Sequence, residues 1–120
     1  MHLQESGEMY LETILLLSLE KPAVRSIDVS TYMGYSKPSI SRAMGLLKKG
    51  EYITIEKDGT IKLTETGREI AQKILERHRI LSDCLIRLGV SPEIAAQDAC
   101  KIEHDISDET FSAIKKHLKK

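Results

Sequence analysis

Cys100, Glu103 and His104 stand at i, i+3 and i+4. In a helix, at about 100° per residue, they share one face. A thiolate, a carboxylate and an imidazole there are three common donors to a transition metal. The same residues also occur for ordinary reasons, as a core thiol beside a solvated Glu–His pair. Met9 and Glu12 form another i, i+3 pair near the N-terminus. A lone methionine more often packs than ligates, and a lone carboxylate more often faces water. His78 stands by itself in a helical pattern and reads first as structural. A metal centre needs these distant residues to meet, which spacing alone does not establish.

A second group offers different chemistry. From Ser36 to Lys49 the chain carries Lys37, Arg42, Lys48 and Lys49, and no acid. Ser36, Lys37, Pro38, Ser39, Ser41 and Arg42 gather where a helix should begin, and its inner positions read Ile40, Met44 and Leu47. Ser39, Ser41 and Arg42 lie off that inner face. Residues near the start of a recognition helix reach base edges. Arginine there can read guanine through two hydrogen bonds, while serine and lysine suit phosphates. A basic face that is merely solvated, or one used for protein contacts, is the competing reading.

Elements must position both groups. Leu11, Ile14, Leu15 and Leu17 recur at helical spacing from about Gln4 to Leu19, and Lys21-Pro22 ends that helix. Ser26 is expected to cap a short helix to about Met33, with Asp28 in its first turn. Gly34-Tyr35-Ser36 turns the chain, and Ser36 caps a helix that tolerates Pro38 and ends at Gly50. The period then changes to two. Residues 52–56 and 60–63 flank Asp58-Gly59, a hairpin signal. Thr66 with Glu69 has capping-box spacing and opens a long helix to about Leu88. Ser91 opens a helix through about His104, and Ser107 opens the last. Two short helices around a glycine turn, followed by a hairpin, predict an N-terminal winged helix-turn-helix. Lys57 and Lys62 lie on the wing. The fold class is mainly α, with a winged-helix domain over 1–65 and an α-helical domain over 66–120.

Composition bounds the rest. The chain has 120 residues, 41% of them apolar, which suits a folded domain rather than disorder. No apolar run approaches the ~18–20 residues of a membrane span, and the N-terminus does not read as a secretion signal. A cytoplasmic protein is expected. With 18 basic and 18 acidic residues the net charge is zero, so a DNA-binding reading rests on local charge. Cys84 and Cys100 read as buried thiols or ligands rather than a disulfide.

Four segments carry a family resemblance. They are Glu8-Met9-Tyr10-Leu11-Glu12-Thr13-Ile14, Leu63-Thr64-Glu65-Thr66-Gly67, Arg77-His78-Arg79, and the run from Ala99 through Cys100, Glu103, His104 and Ser107 to Glu109. In order along the whole chain they resemble the diphtheria toxin repressor family of iron- and manganese-dependent repressors. The resemblance implies a homodimer joined through the helices after the wing, with residues 66–120 serving dimerisation and metal binding. It implies double-stranded operator DNA as the partner, with Ser36, Pro38, Ser39 and Arg42 facing it. Met9, Cys100, Glu103 and His104 match the regulatory metal ligands of the iron branch. Glu12 and His78 match further ligands of the two-metal site of the manganese branch. Ser82 and Ala96 depart from the iron branch's ancillary site, and the two-domain form without an SH3-like domain is expected.

Thioether and thiolate donors favour Fe2+ over Mn2+, which prefers oxygen, and the Irving–Williams order points the same way. Fe2+ is therefore the expected metal and Mn2+ the alternative, while Zn2+ or Co2+ would also bind in vitro. The expected function is a metal-dependent transcriptional repressor controlling metal-homeostasis genes. One rival is a winged-helix regulator sensing thiol oxidants through Cys84 or Cys100. Another is a small enzyme built on Cys100 and His104, but the chain lacks a phosphate loop or an oxyanion-type glycine cluster.

Overall fold

The computed structural model describes residues 5–119. In chain order they form α1 (Glu5–Glu20), α2 (Ser26–Met33), α3 (Lys37–Lys49), β1 (Ile53–Ile55), β2 (Ile61–Leu63), α4 (Glu65–Arg87), α5 (Pro92–Ile102) and α6 (Asp108–Leu118). The chain divides into two compact units, one ending at Gln72 and the other starting at Lys73. The division falls within α4, so the first turns of that helix belong with the hairpin.

In the first unit α1 buries Leu11, Ile14, Leu15 and Leu17, α3 buries Ile40, Met44 and Leu47, and the hairpin adds Ile53 and Ile61. Each such side chain contributes about 1.5–3 kcal/mol when removed from water. The two strands pair antiparallel in the register Ile53↔Leu63, Thr54↔Lys62 and Ile55↔Ile61. Ile61 also donates its N–H to Val24 O at 2.7 Å, tying the hairpin to the segment before α2.

Several helix ends differ from expectation. The cap of α2 is Arg25 rather than Ser26. The Asp28 carboxylate accepts the Arg25 N–H at 2.9 Å and pairs with Lys21. An ionised acceptor satisfies the exposed donors of a first turn better than a hydroxyl does. The Lys21 ammonium, followed by the Arg25 N–H, holds the Asp28 carboxyl below its ordinary range. Ser36 caps α3 as expected, its Oγ accepting the Ser39 N–H at 3.3 Å. Gly50 ends α3 with φ −80°, and the left-handed turn falls instead on Glu51 at φ 65°. Gly50 makes room: a Cβ there would meet the Tyr52 ring at 2.7 Å.

The cap of α4 is Thr64 rather than Thr66. Its hydroxyl lies 2.8 Å from Glu51 O and 3.0 Å from Tyr52 O, and accepts the Gly67 N–H at 3.1 Å. Gly67 presses onto the backbone so closely that a Cβ would sit 2.0 Å from Tyr52 O. The Leu63–Gly67 segment is thus a clamp between hairpin and helix.

In the second unit Ile74, Leu81, Ala95, Ala99 and Phe111 form the apolar core. Ser107 caps α6, accepting the Thr110 N–H at 3.1 Å, whereas Ser91 opens α5 without a side-chain bond. Helix α5 stops at Ile102, two residues short of the expected end, but Glu103 keeps helical angles of φ −59° and ψ −26°. The i, i+3, i+4 relation of Cys100, Glu103 and His104 therefore survives the helix end.

Candidate metal centre and DNA-facing helix

The last turn of α5 and the two residues that follow it gather Cys100, Glu103 and His104, each offering a donor atom within 4.8 Å of the others. Helix α4 brings a further imidazole. His78 Nδ1 lies 2.8 Å from Glu103 Oε2, and Glu103 Oε1 faces His104 Nε2 at 3.3 Å. The Glu103 side chain is 0% exposed, that of His104 1% and that of His78 29%. A buried carboxylate costs several kcal/mol unless a cation or donors answer its charge. Glu103 Oε1 accepts no hydrogen bond among the described residues. A cation between sulfur, oxygen and nitrogen donors would answer it, so the residues present fit a divalent transition metal.

The His78 Nδ1–Glu103 Oε2 contact orients the imidazole against the carboxylate, and imidazole–carboxylate contacts of this kind are usual around metal sites. Met9 and Glu12 lie in the first unit, one turn apart on α1 and half-buried. The Met9 carbonyl accepts the Thr13 hydroxyl at 2.9 Å.

Arg77 has no role in the sequence reading, and the structure gives it one. It is 6% exposed. Its Nη1 donates to Glu103 O at 3.2 Å and to Ile106 O at 2.9 Å, and its Nη2 pairs with Asp108. The guanidinium lies 5.4 Å from the Phe111 ring centre. A signal was available, because Arg77 interrupts the inner stripe between Ile74 and Leu81, where an apolar residue is normal.

The other group is open to solvent. Ser36, Lys37, Pro38, Ser39, Ser41 and Arg42 are all exposed, whereas Ile40, Met44 and Leu47 of α3 are buried. Pro38 fits because the first helical turn needs no N–H from it. Tyr35, just before the Ser36 cap, meets the edge of the Tyr10 ring of α1 at a centroid distance of 6.4 Å. On the wing Lys57 and Lys62 are exposed, with Lys62 paired to Glu56 at 3.0 Å. Cys84 and Cys100 form no disulfide, and no helix among the described residues is long and apolar enough to cross a membrane.

Two family models together match nearly the whole chain. Residues 2–61 match the family model described as iron dependent repressor, N-terminal DNA binding domain. Residues 64–120 match iron dependent repressor, metal binding and dimerisation domain. The transcriptional regulator MntR of Salmonella typhimurium is 36% identical over 112 residues, 93% of this chain and 71% of that protein. The diphtheria toxin repressor of Corynebacterium jeikeium is 31% identical over 108 residues, 89% of this chain and 45% of that protein. Among solved structures, T. acidophilum IdeR superposes with a TM-score of 0.84 at 24% identity, covering 100% of this chain and 56% of that one. The manganese regulator SloR gives 0.84 at 24% identity, covering 94% of this chain and 53% of that one. The chain thus spans about half the length of these solved structures, and at such identity the likeness is one of fold.

Proposed function

This chain belongs to the iron-dependent repressor family of metal-sensing, DNA-binding transcriptional regulators, and we propose that it represses metal-homeostasis genes in response to Fe2+ bound by Cys100, Glu103, His104 and His78 together with Met9 and Glu12 of α1. The observation that carries the reading is the fully buried Glu103 carboxylate, set between two imidazoles beside a thiol. Such a group is costly without a cation. Sulfur donors at positions 9 and 100 favour Fe2+ over Mn2+.

The chemistry of the switch follows from charge. On this reading, without a cation the negative charges of Glu12, Glu103 and an ionised Cys100 would repel one another and α1 would be weakly held. A divalent cation, when bound, supplies the positive charge that these donors share. Holding α1 fixes the spacing of the two recognition helices in a homodimer, and operator half-sites lie about one DNA turn apart, roughly 34–36 Å. Ser36, Lys37, Pro38, Ser39, Ser41 and Arg42 then meet the double-stranded operator, Arg42 at base edges and the others largely at phosphates. A near-complete switch needs about 5.5 kcal/mol of differential binding. Because linkage is reciprocal, DNA should tighten metal binding by the same factor.

Manganese is the second reading. It is favoured by His78, which matches a further ligand position of the manganese branch and lies 2.8 Å from Glu103, and by relatives described as a manganese regulator and a manganese-dependent transcriptional repressor. Anaerobic operator binding, titrated separately with Fe2+, Mn2+ and Zn2+, decides between the two. Activation by Fe2+ at lower free concentration than Mn2+ supports the iron reading, and the reverse order supports manganese. Zn2+ gauges affinity without identifying the physiological metal. Binding that needs no metal and fails only on thiol oxidation would overturn both.

A further inference from the structure

We infer that Arg77 is a positioning residue of the metal centre, setting the backbone of the turn that carries Glu103 and His104 and thereby the metal affinity of the site. The inference rests on the metal-site reading above. Glu103 and His104 come just after the end of α5. There the Glu103 N–H still bonds to Ala99 O at 2.9 Å, and the Asp105 and Ile106 N–H groups turn back to Ile102 O at 3.0 Å each. The carbonyls of a last turn, however, have no helical partner of their own. The turn from Glu103 to Ser107 must nevertheless fix two donor side chains. Arg77 spans that turn. One guanidinium nitrogen holds the carbonyls at both ends, Glu103 O at 3.2 Å and Ile106 O at 2.9 Å. The other pairs with Asp108 at the start of α6, and the plane rests on Phe111 of that helix. Arg77 thus bonds directly to the backbone of a donor residue, and its neighbour His78 bonds to the same residue's carboxylate. One turn of α4 holds Glu103 at main chain and side chain together.

Stability alone does not account for this choice. The Arg77 Nε is buried without a hydrogen-bond partner among the described residues. Apolar replacements of buried ionic groups often leave a fold as stable or more so. What an apolar residue cannot do is fix two carbonyls in one plane, and the planar fork of arginine can. Outer-shell partners of metal ligands typically tune affinity by about 10–100-fold.

The test compares the full chain with Arg77→Met, Arg77→Lys, Asp108→Asn and His104→Ala. Co2+ is the probe, because its absorption bands report ligand geometry. Arg77→Met keeps the stem over Phe111 and removes every donor. It should remain a folded dimer, bind Co2+ at least about tenfold more weakly and show shifted Co2+ bands. Arg77→Lys should fall between Met and wild type, and Asp108→Asn should be the mildest, since both carbonyl bonds remain. In metal-free protein, amide exchange of residues 103–108 should quicken in Arg77→Met. A lowered melting temperature with unchanged Co2+ affinity and bands would reduce Arg77 to a structural residue and overturn the inference. If Arg77→Met does not fold, the Lys and Asn variants decide by the same spectrum, and wild-type bands in both would likewise overturn it. Unchanged Co2+ binding in His104→Ala would instead sink the metal-site reading itself.

Discussion

The outward side of α3 and the C-terminal end of α5 solve opposite problems. The Ser36 cap and five residues of α3 stay in water and present hydroxyls and cations, with no acid among them. The end of α5 withdraws a carboxylate and an imidazole from water almost completely. The open surface tolerates imprecision, because a long arginine can search for a base edge and a serine for a phosphate. The buried cluster does not, because its donors must converge within a few ångströms of one point. A partner as large as a duplex brings its own shape to the surface, whereas an ion has only the geometry that the protein imposes.

The sharpest way to break this contrast is His104→Ala. It should abolish metal-dependent operator binding, a change of at least about a hundredfold in a gel-shift titration, and leave a folded dimer. An unchanged metal response would remove His104 from the site. Next in size is Gly67→Ala, which drives a Cβ to 2.0 Å from Tyr52 O in the clamp supporting the DNA-binding unit. Backbone cannot yield cheaply, so a loss of about 3 kcal/mol is expected. That corresponds to roughly 10–20 °C in melting temperature, and a loss below about 1 kcal/mol would show the clamp to be soft. Arg42→Ala should weaken specific operator binding by about 1–3 kcal/mol with metal affinity unchanged in the absence of DNA. Lost metal affinity there would mean that the two regions are not separate in chemistry.

The smallest expected effect concerns charge at the cap of α2. Asp28 is held below its ordinary range by Lys21 and the Arg25 N–H. Its contribution is therefore fully present above the ordinary carboxylate value near ~3.9 and lost as pH falls through the depressed one. Asp28→Asn should lower stability by less than about 1 kcal/mol at pH 7. In acid it should melt more nearly like wild type, and an equal deficit at pH 7 and pH 2.5 would assign Asp28 a packing role instead.

Element order was legible in the sequence because it depends on period. Ile40, Met44 and Leu47 identified the inner side of α3, and its outward residues followed by exclusion. Three helix ends were misjudged by one or two residues, and each miss has a physical cause. The Asp28 carboxylate displaced Ser26 as the acceptor at α2, Thr64 rather than Thr66 reached the carbonyls of the hairpin end, and α5 stopped at Ile102 while its dihedral angles continued. Spacing placed Cys100, Glu103 and His104 together, since three residues within a turn need only a helix. It could not pair His78 with Glu103 at 2.8 Å, and it passed over Arg77.

The sequence by itself determined the helices, the hairpin, the basic surface and the donor types, because each depends on neighbours within a turn or on chain composition. Tertiary structure alone decided that Glu103 would lose all contact with water, that His78 would meet it and that Arg77 would hold its backbone. The reason is distance along the chain: these partners lie about 25 residues apart. Local periodicity fixes which side of a helix is apolar, but not which part of another helix will press against it.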